Sequence, residues 1–298
     1  MSIRLNPNLL PDLLAGIEQS QQNETTASQE LASGRSVNEP SDDPAAAAAI
    51  VFNHNQASQD AQFLQNISNL QGRFQVADST LSNVVTSVTQ AITIGTEGAN
   101  GTLSPSERQA LAAQVQGILT QVMGLANTTY QGAYLFGGTS VTTQPFAVDA
   151  TTGAITYNGN DQTTTVQLTD GNSITANVPG DQLFQNPGGS ILGALQDLYT
   201  ALNTSSDNMG NAVTELGSAL SQLDTQRVTY GNALNQINLS ESFLNQDQLN
   251  VAQQENDLEG ADVTQAATAF SQAQLANQAA ISATSQVLNQ KNLLDYLA

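Results

Sequence analysis

Leu216, Leu223, Tyr230, Ile237, Leu244, Val251 and Leu258 stand seven residues apart. That spacing keeps one stripe of a helix against a neighbour. The half-heptad positions are mixed: Leu220 and Leu234 are apolar, while Arg227, Glu241, Gln248 and Glu255 are polar. The pattern predicts a helix roughly 65 Å long with a one-sided apolar seam, suited to packing on other helices rather than forming a strict two-stranded zipper. Glu259-Gly260-Ala261-Asp262 interrupts it, and a last helix follows over about Val263–Tyr296, with Phe270, Leu275, Ile281, Leu288, Leu293, Leu294 and Leu297.

A second seam runs through Ile67, Leu70, Phe74, Ala77, Leu81, Val84, Val88 and Ala91 at steps of three and four, and ends near Gly95 and Gly98. A third carries Leu111, Val115, Ile118, Val122 and Leu125 to about Asn127–Thr129. It opens on Ser104-Pro105-Ser106-Glu107, a capping box with proline at the first helical position. The first segment, Leu9 to about Leu31, is weaker. Leu10, Leu13 and Ile17 start a stripe that fades by Glu24, and Gly34 stops the helix. Ser41, Asp42, Asp43 and Pro44 then make a turn in which Asp43 caps a helix begun by Pro44 and propagated by Ala45–Ala49.

Between the helical stretches the period changes. Phe146–Val148, Ala154–Tyr157, Thr163–Leu168 and Ser173–Val178 are short and β-prone, separated by Thr152-Gly153, Asn158-Gly159 and Asp170-Gly171. A small antiparallel β unit over about Gln144–Phe184 is expected, then a short helix near Ser190–Leu202. The fold class is therefore mainly α with a small β domain: an elongated, coiled-coil-like bundle of N- and C-terminal helices around a central β insertion. The expected divisions are 1–143 and 190–298 for the helical parts and 144–189 for the projecting β part. Within these, 1–40 and 261–298 form a terminal assembly domain.

Composition narrows the chemistry. The 298 residues are 39% hydrophobic but only 5% aromatic, without Trp. Such a chain builds thin Ala/Leu seams rather than one large aromatic core. Six basic residues face 26 acidic ones, for a net charge of −20. Nucleic acid and anionic membrane surfaces are thereby disfavoured as partners. Six cations cannot pair 26 anions, so subunit contacts are expected to be apolar or amide-based. There is no cysteine, which removes disulfides and thiolate chemistry. No apolar run approaches membrane-spanning length, and Met1–Leu14 does not read as a cleavable signal.

No residue stands out as catalytic, metal-binding or cofactor-binding, and no cofactor is expected. Asp42 and Asp43 lack a nearby third ligand and read as a turn and cap. His54, the sole histidine, has no nucleophile and acid around it, and reads as a helix surface or seam residue. Gly132–Gly138 lacks the Gly-Lys-Ser/Thr ending of a phosphate loop. Tyr134, Leu135, Phe136, Gly137 and Gly138 instead form a boundary turn, with Tyr134 and Phe136 as core plugs. On spacing alone the heptad seams also fit the core of a monomeric bundle.

Two terminal motifs decide between these readings. Leu31-Ala32-Ser33-Gly34-Arg35-Ser36-Val37-Asn38 through Ser41-Asp42-Asp43-Pro44-Ala45 resembles the N-terminal motif of bacterial flagellins and their junction relatives. Ala273-Gln274-Leu275-Ala276-Asn277-Gln278-Ala279, with the ending Leu293-Leu294-Asp295-Tyr296-Leu297, is similar to the matching C-terminal motif. The run Gly132-Ala133-Tyr134-Leu135-Phe136-Gly137-Gly138-Thr139 with Pro145-Phe146 resembles the hook-associated branch of the family more than filament flagellins, as does Asp-Asp-Pro in the turn. The likeness is weakest from about Ala147 to Ala212, and lysine is reduced to Lys291.

The resemblance implies a structural, non-enzymatic role outside the cell. It implies export through the flagellar type III apparatus with a chaperone on the C-terminal region. It also implies a ring between another hook-associated protein and flagellin. In that family the terminal helices order on assembly, and the weak apolar stripe of the first segment agrees. The expected assembly contacts join Leu10, Leu13 and Ile17 to Ile281, Leu288 and Leu294. Filament flagellin is the alternative, and a secreted adhesin or coiled-coil effector a more distant one.

Overall fold

The computed structural model describes residues 9–149, 151, 153–185, 189–204 and 208–289. Among these described residues, seven helices and six strands follow in order: α1 (Leu9–Ser33), α2 (Pro44–Gly98), α3 (Pro105–Ala126), β1 (Thr129–Tyr130), β2 (Ala133–Tyr134), β3 (Phe146–Val148), β4 (Ile155–Tyr157), β5 (Thr165–Thr169), β6 (Asn172–Thr175), α4 (Gly180–Phe184), α5 (Ile191–Thr204), α6 (Met209–Glu259) and α7 (Val263–Asn289). The expected continuation of α7 to Tyr296 lies outside the described residues. The chain divides into a terminal unit, Met1–Gln59 with Asp247–Ala298, and a core unit, Asp60–Gln246.

In the core unit the seams behave as their periodicity requires. Every position from Ile67 to Ala91 of the α2 stripe is buried, as are Leu111, Val115, Ile118 and Val122 of α3. Leu216, Leu223, Tyr230, Ile237 and Leu244 line the matching face of α6. Phe74 meets Tyr230 edge to face, centroids 5.3 Å apart, a favourable quadrupolar arrangement. Burial pushes the Tyr230 hydroxyl up to about 12, because the apolar surroundings penalise the phenolate. At the off-seam position Arg227, the guanidinium reaches Asp78 at 3.2 Å. Helix α5 packs on α3 through an apolar face that includes Leu192, Leu195, Leu198 and Leu202. The α3 capping box forms as read: Ser104 accepts from the Glu107 N–H and Glu107 accepts from the Ser104 N–H. Those bonds hold the Glu107 carboxyl below its ordinary value.

Among the described residues, the strands pair as three separate two-stranded antiparallel ladders, β1–β2, β3–β4 and β5–β6. The first was not anticipated. Its turn residues, Gln131 and Gly132, have φ of 51° and 81°, the two positive values of a type I′ hairpin. Glutamine replaces the usual asparagine or aspartate there, so the local signal is absent. Gly180 begins the unanticipated short helix α4 where a Cβ would collide with the Phe136 carbonyl and the Phe146 ring.

The boundary motif organises these ladders. Phe136 and Leu135 are buried, while Tyr134 is half-buried in β2, so the plugs are Leu135 and Phe136. Phe136 meets Phe184 edge to face, and Phe184 meets Phe146 likewise. The Tyr157 hydroxyl lies 3.0 Å from the Phe136 and Asn160 carbonyls and accepts the Gly180 N–H at 3.2 Å. Gly138 has φ of 70°, and a side chain there would strike Asn160; only glycine tolerates both demands. Asn127 exchanges two hydrogen bonds with the Phe146 backbone, at 2.9 and 2.8 Å, tying β3 to the end of α3.

Candidate assembly surface

The terminal unit is built around a joint between distant parts of the chain. Gly34, at φ 70°, ends α1 and donates to the Glu30 carbonyl at 2.9 Å. The chain then meets the break after α6. Arg35 and Gly260 form an antiparallel bridge. The Ser36 N–H donates to the Glu259 carbonyl at 2.6 Å, and the Ala261 N–H to the Gly34 carbonyl at 3.0 Å. Arg35 Nε lies 3.0 Å from Glu259 Oε2. Glu259 is a buried carboxylate, and the guanidinium supplies the charge that its burial requires.

The Ser41–Pro44 turn supports the joint. Asp42 accepts the N–H groups of Asn38 and Glu39 at 2.9 and 2.8 Å. Asp43 accepts those of Ala45 and Ala46 at 2.9 and 3.0 Å, capping α2 where the helix dipole favours an anion. Ser41 is exposed, its hydroxyl 3.5 Å from Glu39. Both aspartates thus work on backbone amides. On the other strand of the joint, Asp262 caps α7 through the Thr264 and Gln265 N–H groups.

From this joint α1 and α7 run antiparallel and pack on each other. Among the described residues, polar contacts between them include Ser20 to the Ala273 carbonyl at 3.4 Å and Asn277 to Glu24 at 2.7 Å. Ala27, Ala266 and Ala273 are buried between them, whereas Leu14, Leu31, Val263, Leu275 and Ile281 are exposed. Of the anticipated contact residues, Ile17 is half-buried and Ile281 is 52% exposed. Leu10, Leu13 and Leu288 lie in helices but their side chains fall outside the described residues, as Leu294 does entirely. More apolar surface faces outward on the flanks of the unit, at Val51, Phe52 and Leu249.

Sequence reasoning passed over one feature of this unit and one of the core unit. The Arg35–Glu259 joint links residues more than two hundred positions apart, and no local pattern encodes it. In the core unit, Leu239 and Phe243 stand one turn apart on α6 and are 73% and 61% exposed. They lie off the heptad seam, and that off-seam pair was the available signal. Isolated exposed leucines are ordinary, whereas a contiguous apolar patch is the kind of surface that binds a partner.

Long helices packed along one-sided seams, with α1 and α7 joined in one unit, define the architecture of a structural helical protein. Residues 11–141 match the model of the bacterial flagellin N-terminal helical region, and residues 213–297 that of the C-terminal helical region. The chain belongs to the bacterial flagellin family and is a structural protein of the bacterial flagellum. It is 27% identical to the flagellar hook-associated protein 3 of Escherichia coli over 91% of this chain and 92% of that protein. It is 32% identical to the protein of the same name from Salmonella typhimurium over 58% of this chain, an alignment spanning only 54% of that relative. The fold is shared with a flagellar hook-associated protein from Vibrio parahaemolyticus, at TM-score 0.67 and 22% identity, covering 74% of this chain and all of that one.

Proposed function

We propose that this chain is a subunit of the ring joining hook to filament, and that its terminal unit completes its fold by packing against neighbouring subunits. One observation carries the reading. Among the described residues, the buried apolar side chains of the terminal unit are Ala27, Ala46, Val251, Ala266 and Ala273, while Leu14, Leu31, Val51, Phe52, Leu249, Val263, Leu275 and Ile281 are exposed. Covering a leucine stabilises by about 1.5–3 kcal/mol, so the exposed residues offer a substantial gain once a neighbour supplies a surface. Leu10, Leu13, Ile17, Ile281, Leu288 and Leu294 belong to that assembly surface in this reading.

The partners are copies of this chain, another hook-associated protein on the hook side and flagellin on the filament side. The names of the relatives support the position at the hook. The chain leaves the cell through the flagellar export apparatus, escorted by a chaperone on its C-terminal region, and works outside without catalysing a reaction. With a net charge of −20, contacts between copies rest on apolar and amide groups, and salt affects assembly only modestly. No described helix is long and apolar enough to cross a membrane.

Deletion of Met1–Gly34 tests the mechanism. The truncated chain is expected to keep the helical signal and cooperative unfolding of the core unit, and to fail to enter flagella. Labelled full-length protein seen by electron microscopy should form a thin band at the hook tip. Normal incorporation of the truncated chain would sink the assembly mechanism, and label distributed along the filament would make the chain a filament flagellin instead.

A further inference from the structure

The sole histidine of the chain does not stand alone in space. His54 projects from α2, and Glu255 and Glu259 project from α6 one helical turn apart, so both carboxylates share a face. His54 Nε2 lies 2.5 Å from Glu255 Oε1. One ligand atom from each of the three residues falls within 4.8 Å of the others. All three residues belong to the terminal unit.

We propose that His54, Glu255 and Glu259 form a divalent transition-metal site, best matched to Zn²⁺, that staples α2 to α6. The donor set decides the metal. An imidazole with two carboxylates suits Zn²⁺, whereas Ca²⁺ and Mg²⁺ take oxygen ligands and gain little from a ring nitrogen. Bound at about 2.0–2.2 Å, tetrahedral ligands stand roughly 3.4 Å apart. His54 Nε2 and Glu255 Oε1 must therefore open from 2.5 Å to about 3.4 Å while any wider contact of the cluster closes in, adjustments that rotation of the side chains can supply. Three protein ligands leave a fourth position for water, and exposure grades outward as an open site requires: Glu259 is 10% exposed, Glu255 26% and His54 61%.

Arg35 is the cation with which the metal must coexist. It holds Glu259 through Oε2, which leaves the other carboxylate oxygen for the metal. The guanidinium then acts as an outer support that fixes the orientation of the carboxylate. The net charge of −20 raises the local concentration of any cation. A staple here stabilises the part of the molecule that buries the fewest large side chains. This inference does not depend on the position of the protein in the flagellum.

The test uses the full chain carrying no added histidines. Because His54 is the only imidazole, its ring protons give one set of NMR signals that reports on this site alone. At near-neutral pH, one equivalent of Zn²⁺ is expected to shift or broaden those signals to completion and to raise the thermal midpoint. Equal Mg²⁺ or Ca²⁺ should do neither. His54→Ala should abolish stoichiometric Zn²⁺ binding by calorimetry, and Glu255→Gln should weaken it by about an order of magnitude or more. His54 is well exposed, so its replacement is expected to leave circular dichroism unchanged, and Glu255→Gln provides a second, independent variant. Unmoved imidazole signals, equal Zn²⁺ binding by His54→Ala, or an identical response to Mg²⁺ each overturns the site.

Discussion

The two units solve the same problem, burying a helix face, with different side chains. In the core unit the interior holds Phe136, Phe146, Phe184, Leu195, Leu198 and Leu216, all essentially inaccessible. Among the described residues of the terminal unit it holds alanines and Val251, while Leu14, Leu31, Leu249 and Leu275 are exposed. A leucine makes dozens of dispersion contacts where an alanine makes few. The core unit is thus held mainly by its large side chains, and the terminal unit by small-residue packing, backbone hydrogen bonds and an ion pair. Helix pairs within one chain therefore need not be equally stable. The period fixes which face is buried, and side-chain volume fixes how strongly.

Three measurements would break or sharpen this contrast. The largest effect is expected from Phe136→Ala, which removes a ring from the aromatic cluster of the core unit and should cost about 3–5 kcal/mol in urea unfolding. A loss under about 1 kcal/mol would mean that the core does not depend on its large side chains.

The next effect is alkaline. Tyr230 titrates at about 12 in the folded chain against an ordinary 10.0. Below pH 10 it is protonated both folded and unfolded, so its burial carries no pH dependence there. As pH rises from 10 to 12 the unfolded chain releases this proton first, and stability falls, by about 3 kcal/mol for a two-unit difference. Tyr230→Phe should flatten that slope, and an unchanged slope would remove Tyr230 as its source.

The smallest effect on the free chain, within about 0.5 kcal/mol, is expected from Leu275→Ser or Leu31→Ser at exposed positions of the terminal unit. Incorporation into flagella should nonetheless drop. Destabilisation of the isolated chain matching that of Phe136→Ala would show that the terminal unit is already closed by itself.

Much of the fold was legible because its signals are local. The heptads of α2 and α6, the Ser104–Glu107 capping box, the stop at Gly34 and the Asp43 cap of α2 each depend on residues within a few positions of one another. The strands β3, β4, β5 and β6 fall on the β-prone runs because Asp170-Gly171 and the alternation around it act over similarly short spans. The β1–β2 hairpin escaped because Gln131 adopts positive φ without the usual residue type, and α4 because five residues carry too little periodic signal.

The amino-acid sequence by itself determined where helices start and stop and which stripe of each carries the apolar side chains, since both follow from backbone geometry repeating every few residues. Tertiary structure alone decided that Arg35 meets Glu259, that His54 faces Glu255 201 residues away, and that Leu275 and Ile281 remain uncovered. Those outcomes depend on the register in which one helix settles on another. That register is set by the summed packing of whole faces, a quantity that no single stretch of the chain contains.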